Sequence, residues 1–163
     1  MLLEHAYCDS PLGRLKVSAD TIGIVGVRFI DDTPETQPVA TSNSMITDCI
    51  AQLNAYFSGK QQTFSLTLAA KGTEFQQKVW TNLRTVPYGS TASYLHIAKA
   101  VGNAKAVRAV GSANGKNPLA IIVPCHRIIG SNQKLTGYAG GLWRKQWLLH
   151  FEQQQLGLIN PLF

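Results

Sequence analysis

The chain has 163 residues, of which 45% are hydrophobic and 15% charged, and its formal net charge is +6. This hydrophobic content is enough for a folded core and excludes a globally disordered chain. No apolar run approaches the roughly 20 residues that a membrane-spanning helix needs, so we expect no membrane partner. The cysteines at positions 8, 49 and 125 are far apart and include no CxxC pair, which excludes a dense disulfide framework and favours a reduced, cytoplasmic location.

Charge is distributed unevenly along the chain. Residues 1–72 carry five basic and seven acidic side chains, whereas residues 73–163 carry ten basic and only two acidic ones, Glu74 and Glu152. A surface with such an excess of positive charge attracts polyanions, and nucleic acid is the usual one. The alternative is a basic surface that serves only solubility. The asymmetry favours nucleic acid, because acidic side chains are missing from one part of the chain alone.

The first part of the chain predicts a small sheet with a helix. Apolar and polar residues alternate over residues 15–19, and residues 22–30 are rich in β-branched side chains. Together these two segments predict a β-hairpin. Residues 31–42 are rich in Pro, Thr and Asp and predict a loop. Apolar side chains then recur at helical spacing over residues 44–58, and residues 64–68 alternate as a short strand.

A short linker, residues 69–72, follows at the point where the charge changes sign. We therefore predict two domains, residues 1–72 and residues 73–163. The second domain opens on Thr73 and Gln76, which form the pattern of a capping box at a helix start. Residues 87–89, Pro-Tyr-Gly, predict a turn.

The remaining elements predict a mostly helical domain. Ser93 and Asn103 each precede a short helical pattern, over residues 94–101 and 104–113, and two such helices suggest a helix-turn-helix. A buried strand over residues 119–123, a polar hairpin near residues 131–133 and a closing helix over residues 142–156 complete the chain. The expected fold class is α+β, with a small sheet-plus-helix domain followed by a winged-helix-like, helix-turn-helix domain.

The sharpest chemical motif is Pro124-Cys125-His126-Arg127, directly after the predicted buried strand. A thiolate is a strong nucleophile, nearby cations lower the pKa of a thiol, and a positioned histidine can take its proton directly or through water. Neighbouring side chains on a strand point to opposite faces, so Cys125 and His126 must leave extended geometry to cooperate, and Pro124 favours such a break. On these residues alone, a buried structural cysteine beside a solvent-facing histidine remains the alternative.

Residues 73–156 closely resemble the DNA-binding and catalytic domain of the O6-alkylguanine-DNA alkyltransferases, also called methylated-DNA–protein-cysteine methyltransferases. The match has no gap from residue 94 to residue 152, and residues 1–72 are only loosely similar to the structural N-terminal domain of the family. The matching segments are Phe75-Gln76-Gln77-Lys78-Val79-Trp80, Pro87-Tyr88-Gly89, Ser93-Tyr94, Arg108-Ala109-Val110-Gly111, Asn117-Pro118, Ile122-Val123-Pro124-Cys125-His126-Arg127, Tyr138-Ala139-Gly140-Gly141-Leu142 and Trp147-Leu148-Leu149 with Glu152.

The resemblance implies a DNA repair protein that flips out O6-alkylguanine, and also O4-alkylthymine, and moves the alkyl group irreversibly to its own cysteine, once per chain. Cys125 would be the acceptor, His126 would deprotonate it through a water, and Glu152 would orient the imidazole. Tyr94 would hydrogen-bond guanine N3 and help to rotate the nucleotide out. The alternatives are an ordinary helix-surface acid at position 152 and a core aromatic at position 94.

The resemblance also implies contacts with double-stranded DNA through the minor groove, by a protein that acts as a monomer. Arg108 would fill the hole left by the flipped base, and its alternative role is a phosphate-contacting or solvated arginine. Asn117 would be a hinge between the recognition helix and the active-site strand, and its alternative is a simple Asn-Pro turn. The DNA-binding set is Arg108, Ala109, Gly111, Ser112, Asn117 and Arg127, and the pocket set is Val123, Ile128, Tyr138, Ala139 and Gly140.

We expect no cofactor and no metal. Cys8, His5 and Cys49 are too few for a closed tetrahedral site of the kind that some family members carry in the N-terminal domain. Two other functions remain to be distinguished from alkyl transfer. One is a lesion-binding module like the alkyltransferase-like proteins, which lack the acceptor thiol. The other is a Cys-His hydrolase, which would need an oxyanion site that the sequence does not indicate.

Overall fold

The computed structural model describes residues 2–31, 41–132 and 134–159. The chain divides into two compact units. The first unit consists of Met1–Lys71 with Pro118–Ile122, and the second consists of Gly72–Asn117 with Val123–Phe163. The predicted loop over residues 31–42 lies almost entirely outside the described residues. The architecture is α+β, as predicted, with a sheet and a helix in the first unit and mostly helices in the second.

The first unit is built on a three-stranded antiparallel sheet in the order β1-β2-β3. Its strands are β1 (Glu4–Ser10), β2 (Gly13–Ala19) and β3 (Ile24–Ile30), and the hairpin of β2 and β3 confirms the sequence prediction. Helix α1 (Ser44–Phe57) buries a stripe of side chains at helical spacing in the core of this unit. Asn43 caps it by accepting hydrogen bonds from the first-turn backbone.

Two predicted strands are wrong. Residues 64–68 contribute only one bridge, from Leu68 to Ile24, because the backbone N–H of Ser65 donates to the Gln52 side chain instead of a strand. Four of the residues 119–123 are buried, all but Ala120, but the segment forms a turn in which Ile121 has a φ of 72°. Buried strands and buried turns show the same apolar run, so the sequence pattern did not distinguish them.

The second unit contains four helices among its described residues: α2 (Glu74–Leu83), α3 (Tyr94–Ala100), α4 (Val107–Gly115) and α5 (Leu142–Gln155). The capping box predicted for α2 is confirmed, with both of its hydrogen bonds formed. Helices α3 and α4 pack together in the predicted helix-turn-helix arrangement. The short strands β4 (Ala92–Ser93) and β5 (Ile128–Ile129) pair in parallel. No helix in the described ranges is long and apolar enough to cross a membrane.

The start of α4 differs from the prediction. Asn103 does not cap this helix, because its side chain accepts from the backbone of Lys105 and its carbonyl accepts from Ala106, which closes a separate turn. Lys105 therefore lies in the connection and not on the helix. The predicted hairpin near residues 131–133 is a turn closed by the Gly130 N–H on the Lys134 carbonyl, with Gln133 outside the described residues.

The capping box of α2 gives a stability prediction. Replacing Thr73 by Ala removes the acceptor for the Gln76 N–H, so the free energy of unfolding should fall by about 1 kcal/mol in a urea titration. Thr81→Ala is the matched control, because Thr81 is exposed in the last turn of the same helix, away from the cap, and alanine has the higher helix propensity there. An equal loss of stability in both variants would contradict the capping role of Thr73.

Candidate active site

The Cys125 motif forms a single tight turn with buried side chains. Cys125–Arg127 is a 3-10 turn that follows Pro124, so the chain leaves extended geometry at the point that the sequence predicted. Cys125 is 7% exposed and His126 fully buried, which excludes the alternative of a solvent-facing histidine. The turn therefore places thiol, imidazole and guanidinium in the interior of the second unit.

The carboxylate of Glu152 is the centre of the hydrogen-bond network. Glu152 projects from α5 with no exposed surface, which excludes the ordinary helix-surface acid. Its Oε2 lies 2.7 Å from His126 Nε2, and the guanidinium of Arg127 donates to both carboxylate oxygens at 2.9 Å. The backbone N–H of Gly89 donates to Oε1 at 3.1 Å. One buried acid is thus hydrogen-bonded to three residues from two places in the chain, Gly89 and the adjacent pair His126 and Arg127.

These contacts fix the charges of the pair. Burial by itself would raise the pKa of Glu152, but His126 and Arg127 outweigh burial and hold the pKa well below its usual range. Burial lowers the pKa of His126, and Glu152 opposes this only in part, so the imidazole is neutral near pH 7. A carboxylate only accepts, so the proton of the neutral ring lies on Nε2. Nδ1 is then a free lone pair, and it has no hydrogen-bond partner within the described residues.

Arg127 does not occupy the position expected of a DNA-binding residue. It is 6% exposed, and besides Glu152 its guanidinium donates to the carbonyl of Val86 at 2.8 Å and lies over the ring of Tyr88. The partners of this cation are inside the protein and not on a phosphate backbone. The expectation of a DNA contact is corrected accordingly, because the motif alone did not show that its arginine points inward.

The Cys125 thiol differs from the thiolate that the motif suggested. Burial raises its pKa, and a hydrogen bond from Asn117 and the cation of Lys145 lower it only in part. Burial also lowers the pKa of Lys145 to about 8. The resting thiol is therefore neutral and needs a base at the moment of reaction. Asn117 additionally donates to the Val123 carbonyl at 2.8 Å, which ties the end of α4 to the segment before Cys125.

The other two cysteines lack this environment. Burial raises the pKa of Cys8 to about 11 and that of Cys49 to about 12, and among the residues that the structure describes no cation or histidine lowers either value. All three cysteines are free. Within the described residues, no group of three or more His, Cys, Asp or Glu side chains could hold a metal ion. Cys125 is therefore the cysteine with the surroundings of a nucleophile.

Sequence reasoning missed two residues of the site. Lys145 is fully buried and its ammonium donates to the Thr136 carbonyl at 3.1 Å. The Thr136 hydroxyl is in turn hydrogen-bonded to the phenol of Tyr94. Lys145 stands two helical turns before Glu152 on α5, so the shared helix face was the signal that could have found it. Thr136 lies in an irregular loop and gave no such signal.

The predicted pocket residues fall into two groups. Val123 and Ile128 are buried on either side of the Cys125 turn. Tyr138, Ala139 and Gly140 form a loop whose backbone is fixed by the Gly141 N–H on the Tyr138 carbonyl and by Arg144 on the Gly140 carbonyl. The Tyr138 hydroxyl is buried, and this burial, with a smaller contribution from Cys125, raises its pKa well above the usual range.

Helix α4 presents small and basic side chains on one face. Arg108, Ala109 and Ser112 are exposed, whereas Val110, Ala113 and Asn114 are buried in the second unit. Gly111 faces the Tyr94 ring, since a β-carbon built at Gly111 would lie 3.9 Å from two ring atoms. A helix face of this kind allows close approach by a large polyanion.

Comparison with known proteins covers both units. The family model described as "6-O-methylguanine DNA methyltransferase, DNA binding domain" matches residues 74–154, and the model described as "6-O-methylguanine DNA methyltransferase, ribonuclease-like domain" matches residues 3–70. The chain is 44% identical to the methylated-DNA–protein-cysteine methyltransferase of Mycolicibacterium paratuberculosis over 99% of each chain. It is 45% identical to that of Methanosarcina acetivorans over 92% of this chain and 98% of the relative.

Solved structures agree with this result. Mycobacterium tuberculosis O6-methylguanine methyltransferase has a TM-score of 0.83 at 42% identity, covering 94% of each chain. Mycobacterium tuberculosis OGT in complex with DNA has a TM-score of 0.82 at 45% identity, covering 91% of this chain and 92% of that one. The resemblance drawn from the motifs is therefore confirmed, and the chain belongs to the methylated-DNA–protein-cysteine methyltransferase family.

Proposed function

We propose that this methyltransferase flips an O6-alkylguanine out of duplex DNA and transfers the alkyl group to Cys125, once per chain. The observation that carries the proposal is the buried network in which Glu152 fixes His126 with Nδ1 free, in the residue that follows Cys125, whose thiol has a hydrogen bond and a cation acting on it. O4-alkylthymine presents the same alkyl–oxygen bond and is proposed as a second substrate.

Deprotonation of the thiol is the first task. The thiol and the imidazole are both neutral at rest, so the proton moves from Cys125 to His126 Nδ1, through one water, as the sulfur attacks. The imidazolium that forms is stabilised by the Glu152 carboxylate, which stays ionised because Arg127 and Gly89 also donate to it. Charge therefore develops only where a partner is already in place.

Alkyl transfer is an in-line displacement at the alkyl carbon. A bond forms between the Cys125 sulfur and this carbon, the bond from carbon to guanine O6 breaks, and its electron pair remains with the guanine. A hydrogen bond from the Tyr94 phenol to guanine N3 stabilises this developing negative charge. The proton on His126 returns through water to the guanine. The product thioether has no good leaving group, so the same Cys125 does not react again.

The contact with DNA is assigned to α4. Its exposed face of Arg108, Ala109 and Ser112 would enter the minor groove, where small side chains allow close approach. Arg108 would occupy the space of the flipped base, and Asn117 would be the hinge between α4 and the Cys125 turn. The pocket for the flipped base would be lined by Val123, Ile128, Tyr138, Ala139 and Gly140.

The remaining parts of the proposal concern the setting of the reaction. Residues 1–72 would be a structural domain and residues 73–163 the DNA-binding and catalytic domain. The protein would act as a monomer, without cofactor or metal, in the reducing cytoplasm, where Cys125 stays a thiol.

The acceptor is tested by substitution. Cys125→Ser should abolish alkyl transfer from a duplex containing O6-methylguanine and leave duplex binding within about twofold, because serine keeps the size of the side chain but is a far weaker nucleophile. Cys8→Ala is the matched control and should transfer normally. The measurement is titration with radiolabelled duplex followed by mass mapping of the adduct.

The same titration separates the alternative functions. At most one methyl group per chain, on Cys125, supports the proposal. Tight binding without transfer would indicate a lesion-binding module, and multiple turnovers would indicate a hydrolase. Either result would contradict the proposal.

The lowered pKa of His126 gives a pH prediction. A base whose pKa is depressed stays unprotonated to lower pH. Below about pH 7 Lys145, with its pKa of about 8, is also fully protonated, so the transfer rate at saturating protein should remain constant from about pH 7 to about 6.5 and fall only below the ordinary histidine range. Single-turnover rates measured across this range provide the test. A rate that is already halved at about pH 6.5 or above would contradict a buried neutral His126 as the base.

The role of Arg108 is separable from a phosphate contact. If its side chain fills the gap in the base stack, Arg108→Ala should slow transfer from duplex O6-methylguanine by about tenfold or more, because extrusion costs a few kcal/mol. Reaction with the free base O6-benzylguanine needs no extrusion and should be unchanged. Arg84→Ala, at the exposed end of α2, is the control. A weaker salt dependence of binding, with the rate at saturation unchanged, would instead indicate a phosphate contact.

A further inference from the structure

Thr136 connects three parts of the second unit. Its hydroxyl is hydrogen-bonded to the phenol of Tyr94 at the start of α3, and its carbonyl accepts from the ammonium of Lys145 on α5 at 3.1 Å. Lys145 is fully buried and Thr136 is half-buried, so this contact lies at the edge of the interior. The loop that contains Thr136 is therefore held from both sides at this residue.

The chemistry of the two hydroxyl groups makes their contact directional. Each hydroxyl has one proton to donate and can also accept. If Tyr94 donates to Thr136, the phenol proton is occupied. If Thr136 donates to Tyr94, the phenol proton is free for another acceptor, and a hydrogen bond received at the phenol oxygen makes that proton a better donor. The direction of this bond thus decides what Tyr94 can do.

We propose that Thr136 is a positioning residue for Tyr94, whose hydroxyl donates to the phenol oxygen when the flipped base is bound and so directs the phenol proton to guanine N3. This inference rests on the proposed function, because it concerns the hydrogen bond that stabilises the departing guanine. Thr136 touches neither the alkyl group nor the thiol and acts only through Tyr94.

The surroundings of Thr136 favour this arrangement. Gly111 of α4 faces the Tyr94 ring, and a β-carbon built there would make only an ordinary contact, 3.9 Å from ring atoms Cδ1 and Cε1, so the position of the phenol oxygen depends on Thr136. Thr136 is β-branched, which limits its side-chain rotation, and Lys145 fixes its backbone. The hydroxyl of Thr136 is thereby held at the phenol oxygen in the free protein, before any base enters the pocket.

The test compares O6-methylguanine with an analogue that lacks the N3 atom to which Tyr94 would donate. Thr136→Val keeps the shape of the side chain and removes the hydroxyl, so single-turnover transfer from duplex O6-methylguanine should slow by about 3- to 10-fold, the equivalent of one neutral hydrogen bond. With 3-deaza-O6-methylguanine in the same duplex, which has no N3 atom, the variant and the wild type should react at equal rates. Thr136→Ser keeps the hydroxyl and should restore the rate on O6-methylguanine.

Several outcomes would overturn the inference. A Thr136→Val rate equal to the wild-type rate on O6-methylguanine contradicts it, and so does an equal slowing on both substrates, which would indicate a structural role alone. In the Tyr94→Phe background Thr136→Val should cost nothing further, and an additive loss contradicts action through Tyr94. Thr136→Ala, which is smaller, gives the same comparison if the valine variant does not fold, and Thr81→Val is the control at an exposed site.

The two proposals fail in different ways. Wild-type protein that does not transfer the methyl group at all contradicts the proposed function, and with it the role of Thr136. Wild-type protein that transfers normally, with Thr136→Val unaffected, contradicts the role of Thr136 alone.

Discussion

A buried carboxylate held ionised is the interaction on which the whole site depends. Placing Glu152 in the interior costs free energy unless its charge is fully hydrogen-bonded. The structure meets this requirement with His126, both arms of Arg127 and the backbone of Gly89. The Cys125–Arg127 turn, helix α5 and the turn at Gly89 before α3 are thereby joined at the two oxygens of one carboxylate. The hydrogen bonds that form the site therefore also hold together the core of the second unit.

The arrangement separates two requirements that a buried nucleophile has to satisfy. A thiol in the interior is stable only when it is neutral, whereas the reaction needs its electron pair. The site leaves the Cys125 proton in place at rest and provides His126 with Nδ1 free, so the negative charge arises only as the sulfur attacks. Burial raises the pKa of the Cys125 thiol, and Asn117 and Lys145 both lower it, so they offset part of the effect of burial.

Much of this was accessible from sequence, and the failures have identifiable causes. Helix α2 with its capping box and the hairpin of β2 and β3 follow from local pattern, as does the family resemblance from ordered motifs. Strand β1 was missed because its buried residues are Ala6 and Cys8, which give a weak apolar alternation. The inward direction of Arg127 and the contacts of Thr136 depend on distant partners, and no local pattern encodes those, whereas the helix face that Lys145 shares with Glu152 could have indicated its burial.

The state of the His126 ring is the central claim, and nitrogen NMR measures it directly. In protein labelled with ¹⁵N-histidine at pH 7, we predict that His126 is a neutral imidazole with the proton on Nε2, where it is hydrogen-bonded to Glu152, and none on Nδ1. A spectrum that shows the proton on Nδ1, or a doubly protonated imidazolium, would mean that the ring cannot accept the Cys125 proton, and the mechanism would be wrong.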